Sequence, residues 1–283
     1  MAAFPRTTVG GVSVSRMIIG SNWFLGWSHC TAAKDRFIQE HFDAKRIADI
    51  LEVFFRAGVD TVMGLISGPK LPDAVREAED RTGVKGIIVS TPSFPTNERT
   101  PFEGFDLGEV ERILDEQVAH GATFCFPHTS TTDVMVDRCT REIRQVDTIL
   151  KMTRERGMIP GLSTHMPEAI IYADERSMDV ATYISIFNSM GFLMPIEVDW
   201  VHRVIHNARK PVMTIKPFAA GHVRPLQGLT FSWNALRDQD MVTVGTMAPG
   251  EAAELVELSL DILSRSASSL DLQRTRSKST LVA

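Results

Sequence analysis

The 283-residue sequence has no apolar run near the roughly 20 residues that a membrane span requires, so no membrane partner is expected. It has no basic excess either. A formal net charge of −5 carries no polyanion-binding signature, and nucleic acid is set aside as a partner. Cysteine is scarce: Cys30, Cys125 and Cys139 show neither metal-knuckle nor redox spacing, and an odd count argues against a disulfide framework. Reduced thiols in a cytoplasmic protein are the expectation. The opening Met-Ala-Ala-Phe-Pro-Arg lacks the basic region and apolar stretch of a secretory signal, which agrees with that expectation.

What is present is a rhythm. Gly58, Gly83, Gly121 and Gly157 each close an amphipathic stretch just before a short apolar run. The runs Arg16–Ser21, Asp60–Leu65, Gly86–Thr91, the stretch ending at His128, Ile159–Ser163, Val180–Phe187, Val212–Ile215 and Met241–Gly245 make eight buried parallel strands. The helices between them include Gly108–His120, Arg138–Arg156 and Thr230–Arg237. Thr7–Val14 alternates around Gly10-Gly11, an N-terminal β-hairpin expected to plug one mouth. The count of eight selects a (β/α)8 TIM barrel over a doubly wound open sheet. Residues 1–266 form the expected barrel domain, and 267–283 a polar tail rich in Ser, Arg and Lys. Asn22 to Phe42 reads as a long loop over the barrel mouth, and loops this long in a compact domain are usually functional.

In a barrel the C-terminal ends of the strands carry the site. His128 ends the fourth strand and is the centre of the expected site, since an imidazole there exchanges protons near neutral pH. Lys216 ends the apolar seventh strand. Its ammonium either snorkels to solvent, binds an oxyanion or, with a depressed pKa, forms a Schiff base. Asn22 and Asn188, at the ends of strands one and six, are candidate hydrogen-bonding groups for substrate. His165 lies in the fifth loop and His29 in the first, where it is a candidate lid residue. Nitrogen ligands from separate strands also make His29, His128 and His165 a candidate site for a divalent metal, though without local ligand spacing. His202 and His206 are spaced i, i+4 without an adjacent zinc-protease glutamate and read as a surface face. Met190, Met194 and Met247 read as site walls.

Several segments, in order, resemble the aldo/keto reductase superfamily. Val9-Gly10-Gly11-Val12-Ser13-Val14-Ser15-Arg16-Met17-Ile18-Ile19-Gly20 is similar to its entry hairpin and first strand. Gly161-Leu162-Ser163-Thr164-His165-Met166-Pro167-Glu168 resembles its fifth-strand turn, Phe187-Asn188 the end of its sixth strand, and Pro217-Phe218-Ala219-Ala220-Gly221 its seventh-strand loop. Trp233 and Val244-Gly245-Thr246-Met247-Ala248-Pro249-Gly250-Glu251 resemble its last unit. The resemblance implies NADPH-dependent carbonyl reduction by an Asp, Tyr, Lys and His set, of which only His128 matches. Met63 falls at the aspartate position, unless a gap restores Asp60, and then Leu65 falls at the tyrosine position. Pro92 stands where the family carries its lysine, and neither Tyr172 nor Tyr183 lies near the loop in question. The implied cofactor contacts are thinned to Phe187, Arg224, Gly245 and Thr246, with an anion site at the start of the last helix. Thr164 and Ile184 replace amide side chains, and no Lys or Arg lies between Gly245 and Glu257. NADP is therefore not favoured.

Three readings follow. The first is a non-redox acid/base enzyme acting on a small carbonyl or carbohydrate-like substrate, of isomerase, lyase or hydrolase type. The second is a divergent NAD(P)H-dependent reductase, and the third a ligand-binding barrel without catalysis. A small molecule is the expected partner in each, and no sequence feature sets an oligomeric state.

Overall fold

The computed structural model describes residues 3–96 and 101–267. The expected polar tail beyond residue 267 lies outside the described residues. The chain opens with a hairpin, Arg6–Val9 against Val12–Ser15, whose register pairs Val9 with Val12. That pairing leaves two residues in the turn, Gly10 and Gly11, with φ of +55° and +86°. Such a turn favours glycine at both central positions. At Gly10 space matters as well, because an added Cβ would lie 2.8 Å from Ile159 Cγ2. The turn is packed onto the barrel floor.

The barrel strands are Met17–Gly20, Thr61–Gly64, Ile87–Ser90, Phe124–Cys125, a fifth in two pieces (Ile159–Pro160 and Leu162–Ser163), Tyr183–Ile186, Val212–Ile215 and Met241–Val244. All neighbours run parallel, and the eighth pairs with the first through Val242 and Met17. The fifth strand closes the ring, its first piece pairing with Phe124–Cys125 and its second with Tyr183–Ile186. The break falls at Gly161, where a Cβ would sit 2.5 Å from the Phe126 ring. This is the eight-stranded (β/α)8 barrel with an entry hairpin.

Side chains alternate across the strands as the pleat requires. Ile18, Met63, Val89, Ile184, Met213 and Met241 point inward and pack with Phe124, Phe126 and the hairpin's Val9 and Val14. Their neighbours Ile19, Val62, Ile88, Tyr183, Val212 and Val242 point outward, into the layer beneath the helices. The helix Ala44–Arg56 shows why that layer forms. Asp43 caps it by accepting from Arg46 N at 2.8 Å, and Ile47, Ile50, Leu51 and Phe54 share its buried face. Gly58, Gly83, Gly121 and Gly157 all take positive φ after their helices, as the rhythm requires.

Local structure departs from expectation in three places. The long loop after strand one contains two helices, Asn22–Leu25 and Ala32–His41, the second capped by Thr31 accepting from Lys34 N. The expected helix Arg138–Arg156 is a short ladder, Val136–Asp137 with Glu142–Ile143, followed by the helix Val146–Glu155. Asp137 closes that ladder's turn by accepting from the amides of Cys139 and Thr140, and Arg141 and Gln145 adopt left-handed φ. An aspartate that bonds the backbone two and three residues on favours a turn over a helix. The helix expected over Thr230–Arg237 is Pro225–Ala235, because Pro225 is well suited to the first helical turn.

No helix among the described residues is long and apolar enough to cross a membrane. The three cysteines are free thiols.

Candidate active site

At the C-terminal ends of the strands lies a cavity of about 850 Å³, lined by residues of all eight strands or of the loops that follow them. It brings together His128, Lys216, Asn22, His29 and His165. It does not include Asn188. That side chain is fully buried, donates to Phe192 O at 3.0 Å and accepts from the amides of Met190 and Phe192. Asn188 is thus a turn-forming residue, and its expected substrate contact is corrected. Phe187 is likewise absent from the wall. Its ring is buried against Phe231, 4.9 Å between centroids, and His202, so it offers no open aromatic face. Arg224, Gly245 and Thr246 do line the cavity, as does Met247, whereas Met190 is an exposed side chain.

His128 is fixed by its own loop. Its backbone N–H donates to Pro92 O at 2.9 Å, and its ring Nδ1 accepts from Ser130 N at 3.2 Å, with Ser130 Oγ 2.9 Å away. A ring nitrogen that accepts from an amide carries no proton, so the neutral imidazole holds its hydrogen on Nε2. Burial, reinforced by the Lys216 ammonium, lowers the His128 pKa and favours this neutral form. The ring is therefore a hydrogen-bond donor through Nε2.

Lys216 is half-buried, and desolvation lowers its pKa from 10.5 to about 8. No carboxylate offsets that shift, so about a tenth of the amine is uncharged at pH 7, far more than for an ordinary lysine. Its backbone is left-handed, with φ of +64° directly before Pro217, and Ala219 N donates to its carbonyl at 3.0 Å. Such a conformation costs a non-glycine residue about 1 kcal/mol.

His165 is pushed down to about 3, first by burial and then by Lys216, His128 and His29. His29 is shifted down by desolvation and by Lys216, against a smaller upward pull from Asp35; it sits at the exposed rim with Nε2 3.5 Å from Asn22 Nδ2. The three imidazoles are neutral around one titratable amine. Among the described residues, no group of three or more His, Cys, Asp or Glu is placed to hold a metal ion. The expected His29, His128 and His165 metal set therefore lacks the required convergence.

The positions that the reductase resemblance implied are now located. Met63 and Leu65 line the cavity, whereas Asp60 lies at the opposite end of its strand, paired with Arg6 at 2.8 Å. A gapped alignment therefore does not return Asp60 to the site. Neither tyrosine reaches the cavity: Tyr183 donates its hydroxyl to Asp174, and Tyr172 packs beneath Arg141. The start of the last helix, Pro249–Ser264, is filled from within. Glu251, in its first turn, accepts from Met247 N at 2.7 Å and Thr246 Oγ1 at 3.0 Å, so a carboxylate already supplies the negative charge that the helix start favours.

Two contributors escaped sequence reasoning. Asp133 bridges the fourth and fifth loops, accepting from Thr129 Oγ1 (2.6 Å), Thr164 Oγ1 (2.5 Å) and His165 N (3.1 Å). Burial nonetheless outweighs those bonds and raises its pKa. Trp23, from the first loop, packs over the end of strand eight, where a Cβ on Gly245 would meet its Cδ1 at 2.6 Å. The only signal for either was membership of a polar or tryptophan-containing loop.

No family model matches the chain, and no curated protein matches it. Solved structures do match. An assigned aldo-keto reductase of Pseudomonas aeruginosa superposes with a TM-score of 0.62 at 16% identity, over 91% of this chain and 95% of that one. An aldo/keto reductase from Brucella melitensis gives 0.57 at 9% identity, over 93% and 99%; an aldose reductase from Giardia lamblia gives 0.55 at 9%, over 92% and 91%. The chain has the barrel fold of the aldo-keto reductases.

Proposed function

We propose that this protein is a non-redox acid/base enzyme acting on a small carbonyl or carbohydrate-like substrate in the cavity around His128. One observation carries the reading: the cavity gathers a neutral imidazole and an uncompensated amine, while Met63 stands where a reductase would place its acid and no tyrosine lines the cavity. His128 donates from Nε2 to the substrate oxygen as negative charge develops there. Lys216, in its free-base form, takes a proton from the adjacent carbon. A neutral histidine acting as electrophile suits enolisation, the common first half of many isomerisations and eliminations. Asn22 and His165 line the same space and are available to orient hydroxyl groups. A reductase reading is weakened by the absence of a phenol among the cavity-lining residues and by Glu251 at the last helix.

The test is deuterium uptake from heavy water at the carbon beside the carbonyl, followed by proton magnetic resonance over small aldehydes, ketones and sugar phosphates. The wild type is expected to exchange at least one of them. His128→Phe keeps a ring but no donor, and should lose about 10²–10³-fold in exchange rate with its melting transition intact. Robust NADPH oxidation by an aldehyde panel, with no exchange, would replace this reading with the reductase one.

A further inference from the structure

Strand seven places Met213 and Ile215 toward the barrel interior, and Thr214 outward, where its hydroxyl donates to Met241 O. Continued alternation would send residue 216 outward, among the helices. The left-handed backbone at Lys216 breaks the pleat at that residue, and its side chain lines the cavity instead. A strained turn retained by a lysine, where glycine would be free of strain, points to a use for the amine. The charged and titratable side chains that share the wall with it are His29, His128, His165, Arg224, Glu251 and Glu254. Of the two carboxylates, Glu251 is committed to Met247 N and Thr246 Oγ1.

Resting on the carbonyl reading above, but replacing its direct proton abstraction by Lys216, we infer that Lys216 is a covalent catalyst that forms an imine with an aldehyde or ketone substrate. The free amine attacks the carbonyl carbon. A C–N bond forms as the π pair moves to oxygen, beside the Nε2 hydrogen of His128. One amine proton passes to that oxygen, giving a carbinolamine. Its hydroxyl leaves as water with the proton the ammonium had earlier released, and a protonated imine remains. The balance is ammonium plus carbonyl giving iminium plus water, with no oxidant or reductant. The iminium then withdraws electrons from the neighbouring carbon more strongly than a carbonyl, favouring loss of a proton or cleavage of a carbon–carbon bond there. The substrate class is thereby narrowed to carbonyl compounds carrying a hydrogen or a cleavable bond at that carbon. Desolvation of Lys216 supports the first step, since the free-amine fraction exceeds that of an ordinary lysine by about 10²-fold at neutral pH.

The experiment is borohydride reduction of the full chain in the presence of pyruvate, glycolaldehyde or dihydroxyacetone, followed by peptide mass mapping. The other seven lysines serve as internal controls. The expected result is a reduced adduct at Lys216 with at least one probe, about tenfold or more above any other lysine, and its loss in Lys216→Arg. No enrichment at Lys216 with any probe, or an unchanged adduct pattern in Lys216→Arg, overturns the inference. Because labelling of the wild type is decisive by itself, a variant that fails to fold does not blunt the test. Deuterium exchange that depends on His128 but comes without an adduct would sink the imine and leave the acid/base reading standing.

Discussion

The two ends of the barrel treat charge in opposite ways. At the hairpin end, Asp240 is fully buried yet accepts from Val212 N and Arg237 N, and from the Arg237 guanidinium at 2.7 and 2.8 Å. Arg237 also donates to the carbonyls of Ala208 and Lys210, while Arg16 donates to those of Asp240 and Arg237. Every buried charge in this cluster meets an opposite charge or a backbone dipole. At the other end, Lys216 loses solvation with no carboxylate to offset it, and three imidazoles are kept neutral around it. One end spends its polar groups on cohesion, and the other holds them uncompensated. Sites that bind or transform a ligand keep such groups because the ligand completes them.

The largest effect should come from the satisfied end. Asp240→Ala leaves the Arg237 guanidinium buried without its partner and frees two backbone amides. Breaking such a pair costs roughly 3–5 kcal/mol. Urea unfolding should show a loss of that size, and a loss below about 1 kcal/mol would remove the contrast between the ends.

Lys216→Met should move stability the other way. The folded pKa of about 8 lies below the ordinary 10.5, so between those values the unfolded chain binds more protons and stability rises with pH. Below pH 8 both states are charged and the full desolvation cost is present. The methionine variant should therefore be more stable than wild type at pH 7, by ~1–2 kcal/mol after discounting for a half-buried side chain, and the gap should close toward pH 10.5. Paired urea titrations across that range check it. A variant less stable than wild type at pH 7 would place Lys216 among the structural residues.

The same contrast explains what the sequence made legible. Parallel strands buried on both sides are short apolar runs, and helix-ending glycines mark where four of them begin, so the barrel was legible in the sequence. His128, His165 and Lys216 were visible because a polar residue closing or just following an apolar strand stands out. Asn188 has the same signature, yet its amide closes a turn onto Met190 and Phe192. Whether a strand-end amide faces a ligand or its own backbone depends on the following loop's path, which residue type does not encode. The 136–143 ladder was hidden for a related reason: charged and apolar residues at helical spacing also suit two short strands. Only Asp137 bonding back to Cys139 and Thr140 decides between them.

The smallest effect tests the one place where the mouth behaves like the hairpin end. Glu251 lines the cavity, but its carboxylate is already spent on Met247 N and Thr246 Oγ1 at the start of the last helix. It supplies from within the negative charge that the helix start favours. Arg224 lines the same cavity, so removing the carboxylate would leave an amide, a hydroxyl and a helix N-terminus facing solvent near a guanidinium. Glu251→Ala should therefore gain a response to inorganic phosphate that the wild type lacks. A helix N-terminus favours a nearby negative charge by roughly 0.3–1 kcal/mol, which bounds the gain. Thermal unfolding of both proteins in phosphate, matched for ionic strength with chloride, measures it. Equal phosphate stabilisation of wild type would mean that Glu251 does not occupy an anion site, and one argument against a phosphate-bearing cofactor at this helix would fall with it.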